Sequence, residues 1–189
     1  MLAYTFWHWK RPDVSPETYE ARQRDFQATL AAHPPDGFLH GTTVRLEGAP
    51  WAAEGRTAYE DWYLVRDMAS LDSLNQAAVT AARQVPHDAV AQLAADGIAG
   101  LYRLRGGDPI FPPPLATWFH KPAGMSYPAL FEALAPIVAA VPAALWMRQM
   151  TLGPTPEFCL HSKRPVELPP GFVGRTLALI PVWSSEARS

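Results

Sequence analysis

The chain has 189 residues, 48% of them hydrophobic and 18% charged, with a net charge of −2. That composition buries a core and excludes a disordered chain. With 16 Lys and Arg against 18 Asp and Glu and no basic run, it also excludes the electrostatic footprint of a nucleic-acid binder. A single cysteine, Cys159, rules out an internal disulfide, and the expected location is a reducing, cytoplasmic compartment. The start of the chain lacks a signal-peptide pattern. The longest apolar run, residues 133–145, is cut by Pro136 and Pro142 and is too short for a bilayer span, so no membrane partner is expected.

Residues 3–9 are dense in aromatic β-formers and predict a first strand. Ser15 and Pro16 then form an N-cap and first-turn pair. Tyr19, Phe26 and Leu30 recur on one face of a helix that Pro34, Pro35 and Gly37 end. "GFLHGTTVRLEG" and "AYEDWYLVRD" predict strands two and three. Ser70 is the expected cap of a helix carrying Leu71, Leu74, Ala78 and Ala81, and a shorter helix follows Pro86. "IAGLYRLRG" predicts strand four, giving the order βαββαβ of a ferredoxin-like unit.

"GDPIFPPP" predicts an extended proline-rich spacer, after which the order restarts. "LATWFHK" is a strand, and Ser126 caps a helix carrying Leu130, Leu134, Ile137, Val138 and Val141. That helix is expected to kink or end near Pro136. "ALWMRQMTL", "EFCLHSKR" and "RTLALIPVW" predict three more strands, with "VELPPGFVG" too short and proline-rich for a helix between the last two. Trp7, Lys10 and Ser15 recur at constant offset as Trp118, Lys121 and Ser126, and "DWYL" parallels "EFCL". The expected organisation is a repeat over residues 1–107, a linker over 108–114 and a second repeat over 115–189 with a reduced second helix.

"SPETYEARQRDF", "DMASLDSLNQAAV", "PHDAVAQLAADG" and "GLYRL" resemble the dimeric α+β barrel superfamily. Its members include antibiotic-biosynthesis-type monooxygenases, EthD-like proteins and stress-responsive barrel proteins. The resemblance implies an α+β fold in which two tandem ferredoxin-like repeats form one barrel of antiparallel sheets. It also implies a small-molecule ligand and is compatible with a homo-oligomer. No motif of dye-decolourising peroxidases, dinucleotide enzymes, phosphate loops, zinc sites or nucleophile elbows occurs.

Strand alternation is expected to place Trp62, Leu64, Phe158 and Leu160 beneath helices. Asp61, Tyr63, Glu157, Cys159 and His161 would then point into the barrel. The candidate catalytic residues are His120 and His161 as bases, with Arg148 and Tyr63 as oxyanion donors. Trp7, Trp9 and Trp118 are the candidate substrate-binding wall. The functional expectation is a cofactor-independent oxygenase or isomerase acting on an aromatic or hydrophobic substrate in the barrel interior. Two alternatives stand beside it. One is a haem-binding barrel like the tandem chlorite-dismutase-like proteins, with a histidine on the iron. The other is a non-enzymatic barrel filled by its tryptophans.

Overall fold

The computed structural model describes residues 1–52, 57–151 and 155–186. The chain runs β1 (Leu2–Lys10), α1 (Pro16–Ala32), β2 (Phe38–Leu46), β3 (Ala58–Val65), α2 (Met68–Ala78), α3 (Gln84–Ala91) and β4 (Ala94–Gly107). It continues as β5 (Leu115–Phe119), α4 (Tyr127–Ala140), β6 (Ala143–Thr151), β7 (Phe158–Ser162) and β8 (Gly174–Ser184). The strands close a barrel in the order β1-β3-β2-β8-β5-β7-β6-β4, and β4 pairs back to β1. Within β1–β4 the order is fourth, first, third, second, and β5–β8 repeat it. Two antiparallel seams, β2–β8 and β4–β6, join these four-stranded sheets. The fold is thus an α+β barrel, as the element order predicts.

Local chemistry explains most element ends. The Ser15 and Ser126 hydroxyls accept from Thr18 N and Ala129 N, capping α1 and α4 as expected. The cap of α2 is Asp67 rather than Ser70, because the Asp67 carboxylate accepts both the backbone N–H and the hydroxyl of Ser70. A carboxylate satisfies two donors there and also complements the helix dipole. Helix α4 runs through Pro136 to Ala140 instead of ending at the proline. Its face, Leu130 and Leu134, is anchored in the core, and packing outweighs one lost hydrogen bond. Among the described residues no helix is long and apolar enough to cross a membrane.

Gly107 closes β4 with φ at 71°, and a Cβ there would lie 1.9 Å from the Ala143 carbonyl oxygen. Left-handed backbone costs an L-residue about 1–2 kcal/mol before any clash. Gly107→Ala is therefore expected to destabilise by at least that amount. The measurement is a lowered denaturant midpoint at unchanged slope.

Among the described residues three apolar clusters build the core. One fills the barrel with Trp7, Trp51, Trp62, Tyr102, Trp118 and Trp146. A second lies between the first sheet and α1–α3, and a third beneath α4. Phe111 of the proline-rich segment turns back onto the barrel cluster, stacking on His40 at 4.9 Å and meeting His161 edge-on at 5.9 Å. That segment is a plug at one end of the barrel as well as a connection.

The expected faces hold for Phe158 to His161 in the second sheet and invert in the first, and Glu157, expected in the barrel, instead accepts the Tyr127 hydroxyl of α4. Phe158 and Leu160 lie beneath α4, with Cys159 in the barrel. In β3, Trp62 and Leu64 point into the barrel, while Tyr59, Tyr63 and Val65 face the helices. The reason lies in the register. Trp7 pairs with Glu60, and Trp118 pairs with Cys159, so Glu60 answers to Cys159 and Trp62 to His161. The "DWYL" and "EFCL" match is off by an odd number of positions, and an odd slip exchanges the two faces of a strand.

Candidate functional site

A cavity of about 260 Å³ opens between the outer face of the first sheet and α1–α3. Phe6, Phe26, Leu30, Leu74 and Val90 make its apolar walls. Its polar groups include Tyr4, Tyr19, Gln23, Asp61, Tyr63 and His87. Helix α1 supplies one stripe at helical spacing, in which Tyr19, Gln23, Phe26, Gln27 and Leu30 are all buried. Two glutamines in an otherwise apolar stripe are out of place unless something polar faces them.

What faces them is a continuous chain of side-chain contacts. Gln27 Nε2 donates to Tyr63 Oη at 2.7 Å, and Tyr63 donates to Asp61 Oδ2 at 2.8 Å. Thr43 Oγ1 donates to Asp61 Oδ1 at 2.5 Å. His8 Nε2 lies 3.4 Å from Asp61 Oδ2, and His8 Nδ1 lies 2.7 Å from Tyr19 Oη. With Nε2–H turned to the carboxylate, Nδ1 accepts the Tyr19 hydroxyl. Gln23 Nε2 sits 3.4 Å from both His8 nitrogens, equidistant and too long for a strong bond to either.

Asp61 and His8 are 2% and 0% exposed; Asp61 lines the mostly apolar cavity, and the imidazole of His8 lies behind that lining. Burial, and then the Asp61 charge, push the Tyr19 and Tyr63 phenols well above their ordinary range. Both therefore remain hydroxyl donors. The Oε1 atoms of Gln23 and Gln27 are buried and have no hydrogen-bond partner among the described residues. Of the two, Gln23 lines the cavity, offering an acceptor to whatever enters.

The residues singled out in the sequence are dispersed. Tyr63 belongs to the cavity, on the opposite side of its sheet from the barrel interior. His161 is in the barrel, fully buried against Trp62 at 4.4 Å, with both ring nitrogens unpartnered among the described residues. Burial pushes it down to about 3, so it is neutral. Arg148 donates to the Thr155 carbonyl at 3.0 Å. His120 is exposed just beyond β5, and Glu157 accepts the Tyr127 hydroxyl. No hydrogen bond or ring contact links His120, Arg148 and His161 to one another among the described residues. Trp7 and Trp118 meet at 5.7 Å within the packed interior, and Trp9 is buried on the same strand as Trp7. The sequence reading passed over His8, Tyr19, Gln23, Gln27 and Thr43, and the glutamines were the available signal.

Haem does not fit these residues. The cavity lies just below the usual range for ligand pockets, about 300–1,000 Å³, and among the described residues no Lys or Arg lines it to meet propionates. The free nitrogens of His161 are walled in by Trp62, Phe111 and Trp146.

No known family profile and no curated protein matches the chain. Solved structures do. A "putative monooxygenase" of Fusobacterium nucleatum subsp. nucleatum ATCC 25586 superposes with a TM-score of 0.68 at 9% identity, over 97% of this chain and 93% of that one. A "putative monooxygenase" of Lactobacillus acidophilus NCFM gives 0.61 at 8% identity, over 97% and 95%. An anthrone oxidase-like protein gives 0.58 at 11% identity, over 99% and 92%. At such identities the likeness defines the fold. This is an α+β barrel closed within one chain, similar along nearly its whole length to these three proteins.

Proposed function

We propose that the chain is a cofactor-independent oxygenase whose substrate, a planar hydroxylated aromatic, binds between the first sheet and α1–α3. The observation that carries this reading is the Tyr19–His8–Asp61 chain, whose two ends, Tyr19 and Asp61, line an apolar cavity. The printed names of the three fold neighbours agree with it.

The chemistry follows from the order of contacts. An acidic substrate proton, on a ring hydroxyl or on a CH₂ flanked by aryl rings, passes to Tyr19 Oη while the Tyr19 proton moves to His8 Nδ1. Burial holds the Tyr19 phenol above its ordinary range, so Tyr19 serves as a hydroxyl relay rather than a resting phenolate. Asp61 balances the imidazolium that forms. The electron-rich substrate anion then gives one electron to dioxygen, and the radical pair joins as a C–O bond. The resulting peroxide anion takes the proton back from His8 and loses water. One oxygen atom stays as a carbonyl and the other leaves in the water. Apolar walls keep bulk water from protonating the anion.

The test is oxygen uptake and product formation with a panel of hydroxylated anthrones and naphthols. One dioxygen consumed per carbonyl formed is expected, with loss of binding when Ala78→Trp fills the cavity. Solvent-proton exchange into the substrate without oxygen uptake would instead assign an isomerase. Absence of binding, exchange and uptake across the panel would overturn the reading.

A further inference from the structure

We propose that Trp7, Trp62 and Glu60 form a proton-coupled redox centre that collects oxidising equivalents from the aromatic column of the barrel. Glu60 is 0% exposed, and it accepts Trp7 Nε1–H on one carboxylate oxygen at 2.6 Å and Trp62 Nε1–H on the other. The rings around it are contiguous. Trp51 meets Trp118 at 5.0 Å, Trp118 meets Trp7 at 5.7 Å, and Tyr102 bridges Trp7 and Trp62 at 6.0 and 5.9 Å. Trp146 lies 5.3 Å from Trp62. An electron vacancy on any one ring has a neighbour to move to.

The partners of the indole nitrogens decide where it stops. Among the described residues the Nε1–H groups of Trp51, Trp118 and Trp146 are buried without an acceptor. Oxidising one of them would leave a bare cation in a low-dielectric interior, which is costly. An oxidised indole is a strong N–H acid, and at Trp7 or Trp62 its proton has a carboxylate to go to. There the products are a neutral indolyl radical and a neutral carboxylic acid, with no new buried charge. Because one carboxylate serves both indoles, the barrel holds one such radical at a time.

The source of the oxidant rests on the proposed function. Glu60 and Asp61 are consecutive in β3 and lie on opposite faces of the sheet, so the centre stands behind the cavity floor. A substrate radical that escapes recombination with superoxide adds a second dioxygen to give a peroxyl radical, which takes one electron from the indole and becomes a peroxide anion. The indole proton passes to Glu60, converting carboxylate to acid. A reductant of thiol or ascorbate class later returns the electron, and Glu60 returns the proton. Burial raises Glu60 to about 7, so the acceptor is present on the alkaline side of that pH. Of the other titratable groups that sense it, Tyr102 and Cys159 are held protonated by burial, and Asp61 lies across the sheet.

The test needs no substrate, which separates it from the oxygenase reading. Azide radicals generated by pulse radiolysis oxidise the intact protein, and transient absorption with freeze-quench EPR identifies the radical. At pH 8.5 a long-lived neutral indolyl radical is expected, and at pH 5.5 its yield should fall several-fold. Trp7→Phe or Trp62→Phe alone should keep the signal, since either indole still reaches Glu60. The double replacement, or Glu60→Gln, should shift the radical to tyrosine and shorten its life several-fold. Near-ultraviolet circular dichroism confirms that each variant is folded. Equal species and decay in wild type and Glu60→Gln, or a pH-independent yield, would overturn the centre. If the oxygenase reading also holds, Glu60→Gln keeps its initial rate and inactivates after several-fold fewer turnovers.

Discussion

Asp61→Asn should lower turnover of the proposed substrate by about 10²–10⁴-fold, the usual contribution of positioned acid–base catalysis. The carboxylate accepts Tyr63 and Thr43 and faces His8 Nε2, so it fixes the imidazole tautomer and balances the imidazolium. An asparagine keeps one acceptor, turns an amide toward a hydroxyl that must donate, and carries no charge. Substrate contacts with Phe6, Phe26 and Leu74 are untouched, so KM should change little while kcat falls. His8→Phe should lose a comparable factor. Tyr63→Phe removes one donor to Asp61 and strands the Gln27 amide, and a loss of about tenfold is expected. Steady-state kinetics on variants with intact melting curves check the order. Full activity in Asp61→Asn would remove the relay from the mechanism.

The second large effect is a pair of opposed pH dependences in the barrel. His161 ionises near 6.5 when unfolded and is pushed down to about 3 by burial. Below pH 6.5 the unfolded chain binds a proton that the native one refuses. Stability is therefore complete above 6.5 and falls toward pH 3, by about 5 kcal/mol in all. Glu60 is raised from 4.5 to about 7, chiefly by burial and against the two indole hydrogen bonds that favour its charged form. As pH rises from 4.5, the unfolded chain releases a proton that the native one keeps. This contribution is complete below 4.5 and is lost by pH 7, about 3 kcal/mol in all.

Between 4.5 and 6.5 the two slopes nearly cancel, so the wild-type denaturant midpoint should be flat there. His161→Phe should become steadily more stable as pH falls from 7 to 4.5. Glu60→Gln should become more stable as pH rises from 4.5 to 6.5 and then level off. Parallel profiles for the two variants would show that these groups are not the source.

The architecture was legible because it rests on repeated, redundant signals: capped helices, β-branched strands, and Trp7 echoed by Trp118. The site was not, and the failure is specific. One odd register error in β3 moved Asp61 and Tyr63 across the sheet, and a period-two structure gives no partial credit for a near miss. The second sheet was read correctly because Phe158 and Leu160 are apolar on the helix side and Cys159 and His161 are not. In β3 both faces carry large aromatics and a buried acid, so hydrophobicity does not say which way it faces. The clue lay in α1, where Gln23 and Gln27 interrupt a core stripe. Polar residues on a buried helical face report what the opposite wall contains.

A barrel assembled from two identical chains must carry two identical clefts, one beneath the helices of each. Closure within a single chain lifts that restriction. Here the outer face of the second sheet is sealed by Phe119 stacked on Phe158 at 5.4 Å and by Phe172 at 5.8 Å from Phe119. Isothermal titration should then return one ligand per polypeptide, where a symmetric assembly of the same shape would bind two. The cleft can then differ between the halves, with the first lining a cavity and the second completing the barrel.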